Sequence, residues 1–108
     1  MKYENNENKE KIPIKIISKN ENSLSIQAFP LENIFTNIIL KTDSGYLTNI
    51  IIPPYKHINE LFNIYAKVNE IELFRLHFFI NGKEIDKFDK REISQVFNNT
   101  AIISISIY

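Results

Sequence analysis

Any chemistry in this chain would have to begin with its two histidines, His57 and His77, because cysteine is absent altogether. That absence removes thiol nucleophiles, disulfides and thiolate-ligated zinc in one step. An ion held by the histidines would need three or four convergent ligands, and no sequence spacing ties the two together. They are therefore read as surface or capping residues. Carboxylates do recur in close pairs, Glu70 with Glu72 and Asp86 with Asp89. Both pairs fall in polar stretches, where a carboxyl stays solvated, whereas acid–base work needs a buried or coupled group. With two glycines in all, no glycine-rich phosphate loop can be built, and no GxSxG, HExxH, P-loop or GxGxxG pattern occurs. The expectation is a non-catalytic protein with no cofactor and no metal.

Composition narrows the partners. A chain of 108 residues holds one domain with one core. Thirteen basic and thirteen acidic residues cancel, leaving no net field to draw the protein to nucleic acid or to an anionic membrane. The longest apolar runs are a few residues, against roughly 20 for a bilayer span, so no direct membrane insertion is expected. Met1 to Lys11 mixes lysine with glutamate and asparagine, which is the composition of a disordered polar tail and not of a targeting signal. An intracellular setting, cytoplasmic or organellar, follows as an expectation.

The elements that position the surface can be read from periodicity. Ile58, Leu61, Phe62, Tyr65 and Val68 recur at three- and four-residue steps and predict an amphipathic helix over 58–68, with Asn59, Glu60, Asn63 and Lys67 opposite. Its capping signal is poor, since His57 or Lys56 stands where Ser, Thr, Asp or Asn is preferred. Ahead of it, Ile12 to Ser18 and Ser23 to Phe29 flank a turn-forming Lys19-Asn20-Glu21-Asn22, and Pro13 confines the first of these strands to an edge or a start. Pro30 to Phe35 is a connector with room for one helical turn. Strands at Thr36–Thr42 and Tyr46–Ile52 enclose a glycine-containing loop, and Pro53-Pro54 ends the second. After the helix come a strand at Leu76–Ile80, the hairpin signal Asn81-Gly82, a short return at Lys83–Ile85, a charged loop from Asp86 to Glu92 and a helical turn at Ile93–Phe97. A last strand, Ala101–Tyr108, has serines 104 and 106 turned out. Phe62, Tyr65, Phe78 and Ile80 read as core.

This order and its spacing, from Thr36 to Tyr108, resemble the ubiquitin-like β-grasp family. The loop Lys41-Thr42-Asp43-Ser44-Gly45 looks like the family's first hairpin loop. The intervals from Gly45 to Ile58 and from Ile58 to Gly82 match without a gap, and Arg75 to Ile85 is similar to its third strand and turn. The resemblance implies an α+β fold: a mixed sheet of four to five strands packed on one helix, here with residues 12–35 as an extension that forms an extra hairpin. It also carries two departures. The chain ends at Ile107-Tyr108 with no Gly-Gly tail, so a non-conjugated protein is expected. The positions matching the family's apolar recognition patch are Asp43, Phe79, Ser104 and Ser106, of which only Phe79 is apolar.

Strand alternation points to another surface. If Ile38, Leu40, Ile50 and Ile52 face the helix, then Ile39, Leu47 and Ile51 must point outward, and a contiguous exposed patch of that kind marks a contact surface. Either the preceding segment folds back over the patch or another protein does. The hairpin and the patch together, Leu24 and Ile26 included, are expected to form the docking surface, with Phe79 beside them and Phe74 hard to bury. The function so implied is a protein–protein interaction module, a small structural or accessory subunit of a larger assembly with protein partners and no nucleic acid. The alternative is a ubiquitin-mimicking adaptor or regulator in a degradation or chaperone pathway, centred on Phe79 and Lys83. A small enzyme would need a deep polar pocket with a histidine and a carboxylate in contact.

Overall fold

The computed structural model describes residues 12–30, 34–98 and 100–108. The expected polar tail at 1–11, the middle of the connector at 31–33 and Asn99 lie outside the described residues. In chain order the elements are β1 (Ile14–Lys19), β2 (Ser23–Ala28), β3 (Thr36–Thr42), β4 (Leu47–Ile52), α1 (Ile58–Val68), a 3-10 turn (Leu73–Arg75), β5 (Leu76–Ile80), β6 (Lys83–Ile85), α2 (Ile93–Val96) and β7 (Thr100–Ile107). The helix falls on the residues its apolar period marks. The 3-10 turn has no periodic signal and is an addition to the sequence reading.

All the strands of the described residues join one seven-stranded sheet in the order β1-β2-β4-β3-β7-β5-β6. Its last five, β4 to β6, are the sheet anticipated from the resemblance; the count rises to seven because the N-terminal hairpin adds itself at the β4 edge instead of folding over a face. The β2 strand runs parallel to β4, with Ser23 opposite Leu47 and Gln27 opposite Ile51. The hairpin turns on Asn20, whose Oδ1 accepts the amides of Asn22 and Ser23 at 2.8 and 2.9 Å, the local side-chain bonding that makes asparagine a turn former. At the other end, the Lys56 ammonium stands 4.0 Å from the Phe29 ring centroid, a cation–π contact that ties the hairpin's exit to the approach of α1. At Asn81-Gly82, φ is 52° and 80°, the positive pair that a two-residue hairpin needs.

The core is the period-two face of the sheet closed by the apolar stripe of α1. Ile26, Ile38, Leu40, Ile50, Ile52, Phe78 and Ile103 are fully buried, as are Ile58, Leu61, Phe62 and Ile64 of the helix. The Phe62 and Phe78 rings stack 3.7 Å apart, and Tyr65 meets Phe78 edge-on at 6.0 Å. Ile80, expected in this bed, is half-buried near the sheet's end.

The helix start is capped from a distance, which is why its own sequence carries so weak a signal. The Ile58 amide donates to the Arg91 carbonyl at 3.0 Å and the Asn59 amide to that of Asp89 at 2.8 Å. Two of the donors that every helix N-terminus leaves over are thus satisfied by the loop between β6 and α2. Glu60 adds the local half of a cap, its Oε1 accepting the His57 amide at 2.9 Å. The loop is held in shape by the Asp89 carboxylate, which accepts from the Arg91 backbone amide at 2.9 Å and guanidinium at 2.7 Å. Those bonds hold the Asp89 carboxyl below the usual aspartate range. A charge run read as a solvated loop is, through its backbone, a structural clamp.

Two outcomes follow. A chain shortened to begin at Thr36 loses Leu24, Ile26 and Ala28 from the core; at roughly 1.5–3 kcal/mol per large apolar side chain, its unfolding free energy should fall by several kcal/mol, read as a lower urea midpoint. It should also associate as concentration rises, since the β4 edge is bared. An unchanged midpoint would mean that the hairpin is only appended. Second, burial pushes the Tyr65 phenol from 10.0 up to about 12, partly offset by the Thr48 hydroxyl. The folded state thus resists ionisation that the unfolded state allows. This contribution is complete below pH 10 and is lost as pH climbs toward 12. The fall of the urea midpoint across that window should be shallower in Tyr65→Phe.

Candidate functional site

The face of the sheet turned away from α1 is built by the residues that alternate with the core. Register places Ile39 of β3 between Asn49 of β4 and Ile102 of β7. One step along, Lys41 lies between Leu47 and Ser104, and Ser104 is next to Phe79, which is next to Glu84. One step the other way, Ile51 lies between Gln27 and Asn37. Ile39, Ile51, Ile102 and Leu47 therefore gather over three adjacent strands, with Phe79 to one side. Ile102 is 62 % exposed and Leu47 37 %; Ile39, Ile51 and Phe79 are half-buried. No element among the described residues covers this face.

Amides and one charge, Lys41, interleave with the apolar residues of the patch. The Oδ1 atoms of Asn37 and Asn49 are buried without a hydrogen-bond partner among the described residues. Both side chains stand opposite isoleucines of the neighbouring strand, Asn37 opposite Ile51 and Asn49 opposite Ile39.

Two of the residues named from the sequence do not belong here. Leu24 and Ile26 are 4 % and 0 % exposed. Their alternation with serines comes from facing α1, and the hairpin presents Ser23, Ser25 and Gln27 to the open side. Since the hairpin lies edge-on, it does not cover the patch. The open face gains Ile102, which the sequence reading passed over. The signal was present: Ile102 lies two residues before Ser104, in the outward phase of β7. Phe74 is 74 % exposed on the 3-10 turn, away from the sheet strands.

Both histidines contact a carboxylate, and the His57–Glu60 contact lines a shallow, open depression of about 390 Å³ together with Asn59 and Lys90. His77 Nδ1 is 2.8 Å from Glu84 Oε2, with the Tyr108 ring 4.3 Å from the imidazole. The pair bridges β5 and β6 on the open face, with the Glu84 side chain 51 % exposed. His57 Nδ1 lies 3.3 Å from Glu60 Oε1 within the helix cap. A depression of about 560 Å³ between β6 and the loop that follows is lined by Lys83, Asp86, Asp89 and Arg91, with no histidine. Among the described residues, no three His, Asp or Glu side chains are placed to hold a metal ion. None of their helices is long and apolar enough to cross a membrane.

Two adjacent isoleucines of β7 test the face assignment. Ile103→Ala, in the core, should cost about 2–5 kcal/mol. Ile102→Ala, pointing to solvent, should stay within about 0.5 kcal/mol. Urea denaturation of the two variants measures both, and equal losses would put Ile102 under cover.

No protein-family model matches the chain, and neither does any curated protein. Among solved structures, the chain is similar to the ubiquitin-like domain of an Arabidopsis thaliana protein, determined by solution NMR. The TM-score is 0.59 and the identity 13 %, covering 69 % of this chain and 79 % of that one. Likeness at this identity concerns the fold. The strand order, the helix held against the sheet and this likeness make the architecture a ubiquitin-like β-grasp widened by one hairpin.

Proposed function

We propose that the protein is a non-catalytic protein–protein interaction module, a small structural or accessory subunit of a larger assembly, and that it binds through the open face of its sheet. The observation that carries this reading is the uncovered cluster of Ile39, Leu47, Ile51 and Ile102. Four large apolar side chains on neighbouring strands, two exposed and two half-buried with no element of the described residues laid over them, are what a contact surface looks like before its partner arrives. The adaptor reading, in which the protein stands in for ubiquitin, has less support. The positions matching the family's recognition patch are polar except for Phe79, and Lys83 lies with Glu84 at the far side of the sheet.

The test uses the full chain as bait in extracts of its own cells, beside an Ile39→Asp/Ile102→Asp variant whose fold is confirmed by circular dichroism. Stoichiometric companions should copurify with the native protein and fall at least tenfold with the variant. A native protein recovered as free monomer would sink the subunit reading, and companions indifferent to the variant would move the site off the open face.

A further inference from the structure

We propose that the outer edge of β1 is a second docking site, one that accepts an extended acidic segment of another protein as an eighth strand. This goes beyond the open-face reading and stands or falls separately from it. The edge can be specified atom by atom. The Phe29 amide donates to the Pro13 carbonyl at 2.8 Å, so Pro13 and Phe29 are a hydrogen-bonded pair of the β1–β2 ladder. Antiparallel ladders alternate bonded and non-bonded pairs. With Ile14 opposite Ala28, Lys15 opposite Gln27 and Ile16 opposite Ile26, Lys15 points its backbone groups inward. Ile14 and Ile16 direct their N–H and C=O outward. Beyond the register shift between Ile16 and Ser18, Lys19 opposite Leu24 does the same. The strand thus offers a row of main-chain donors and acceptors, the template used in strand addition.

Side chains set what can fill it. Ile16, 62 % exposed, lies on the α1 side of the sheet with Ile26, beyond the part of the face that the core closes. A residue added opposite Ile16 extends that face and meets an apolar neighbour. Lys15, opposite Gln27, lies on the open side, and Lys19 ends the strand on the α1 side. These two lysines are the only charged residues of β1, and neither forms an ion pair among the described residues. Cross-strand pairs of opposite charge stabilise, and like charges directly opposite destabilise. The complementary strand therefore alternates apolar and acidic residues, with an acid opposite Lys15 on the open side and apolar residues opposite Ile14 and Ile16 on the α1 side.

A second copy of this chain is a poor occupant for the same reasons. Antiparallel self-pairing centred on Lys15 sets two lysines face to face. Centred on Ile16, it runs into the bulge, where an extra residue breaks the ladder. The features that blunt the edge against a copy leave it matched to an acidic strand.

The experiment is amide hydrogen exchange by NMR on the full chain, with two synthetic peptides of about eight residues. One alternates valine with glutamate; its twin carries lysine in place of glutamate. The acidic peptide should slow exchange at Ile14 and Ile16 about tenfold when present at ten times its Kd. The lysine twin should do nothing, and Lys15→Glu/Lys19→Glu, both exposed changes, should reverse the preference. Absence of protection from the acidic peptide would overturn the proposal. So would equal protection from the twins, protection that grows with protein concentration alone, or protection already complete in the free chain. None of these outcomes bears on the Ile39 patch.

Discussion

The parallel ladder between β2 and β4 is the constraint on which the rest of the surface depends. It converts β4 from an edge strand into an interior one, with β3 on its other side. Parallel pairs require a long connection between their strands, and here that connection includes β3 itself. Once formed, the ladder settles three things together. Leu24, Ile26 and Ala28 are committed to the core. The hairpin is spent on the edge and cannot cover the open face. The free edge on that side passes to β1, which follows directly on Pro13 and carries two lysines and a register shift, each of which discourages indiscriminate pairing.

Much of the fold was legible before any coordinates. The helix period, the Pro53-Pro54 stop, the Asn81-Gly82 turn and the serine phase of the last strand each rest on local stereochemistry, and each placed its element within a residue or two. The side of the sheet on which Ile39 and Ile51 lie was legible too, because alternation leaves a strand only two faces. What alternation does not say is what covers a face. The pattern Leu24, Ile26, Ala28 between serines means that one side of β2 is buried; that it is buried under α1, and not against a partner, depends on a contact between residues far apart in sequence. Ile102 illustrates the converse. It stands in the unbroken run Ala101-Ile102-Ile103, where phase is ambiguous until Ser104 and Ser106 resolve it.

The helix start shows a third kind of limit. His57 is an inferior cap by type, yet α1 begins there because carbonyls from Asp89 and Arg91 reach its first amides. Capping energy has been moved from the residue before the helix to a loop some thirty positions later, where nothing in a local pattern reveals it. The same loop gives Lys87 a place to bond the Leu73 and Leu76 carbonyls at 3.2 and 2.7 Å, closing the 3-10 turn. A stretch dominated by charge thereby supplies order to two helical segments without any residue of it entering the core.

The arrangement of the strands also determines how the molecule would answer to force. β3 opens the five-stranded body and β7 closes it; they lie side by side and parallel, paired over six positions from Asn37–Thr100 to Thr42–Ile105. Tension applied through those two strands slides one past the other, loading every rung of that ladder at once. The hairpin is geometrically the opposite. Ile14 and Ala28 are neighbours across its open end, so tension between them parts the rungs one after another, like a zip. Pulled from its two ends, the chain should surrender the hairpin first and the β3–β7 seam last, a graded mechanical response built from a single continuous sheet.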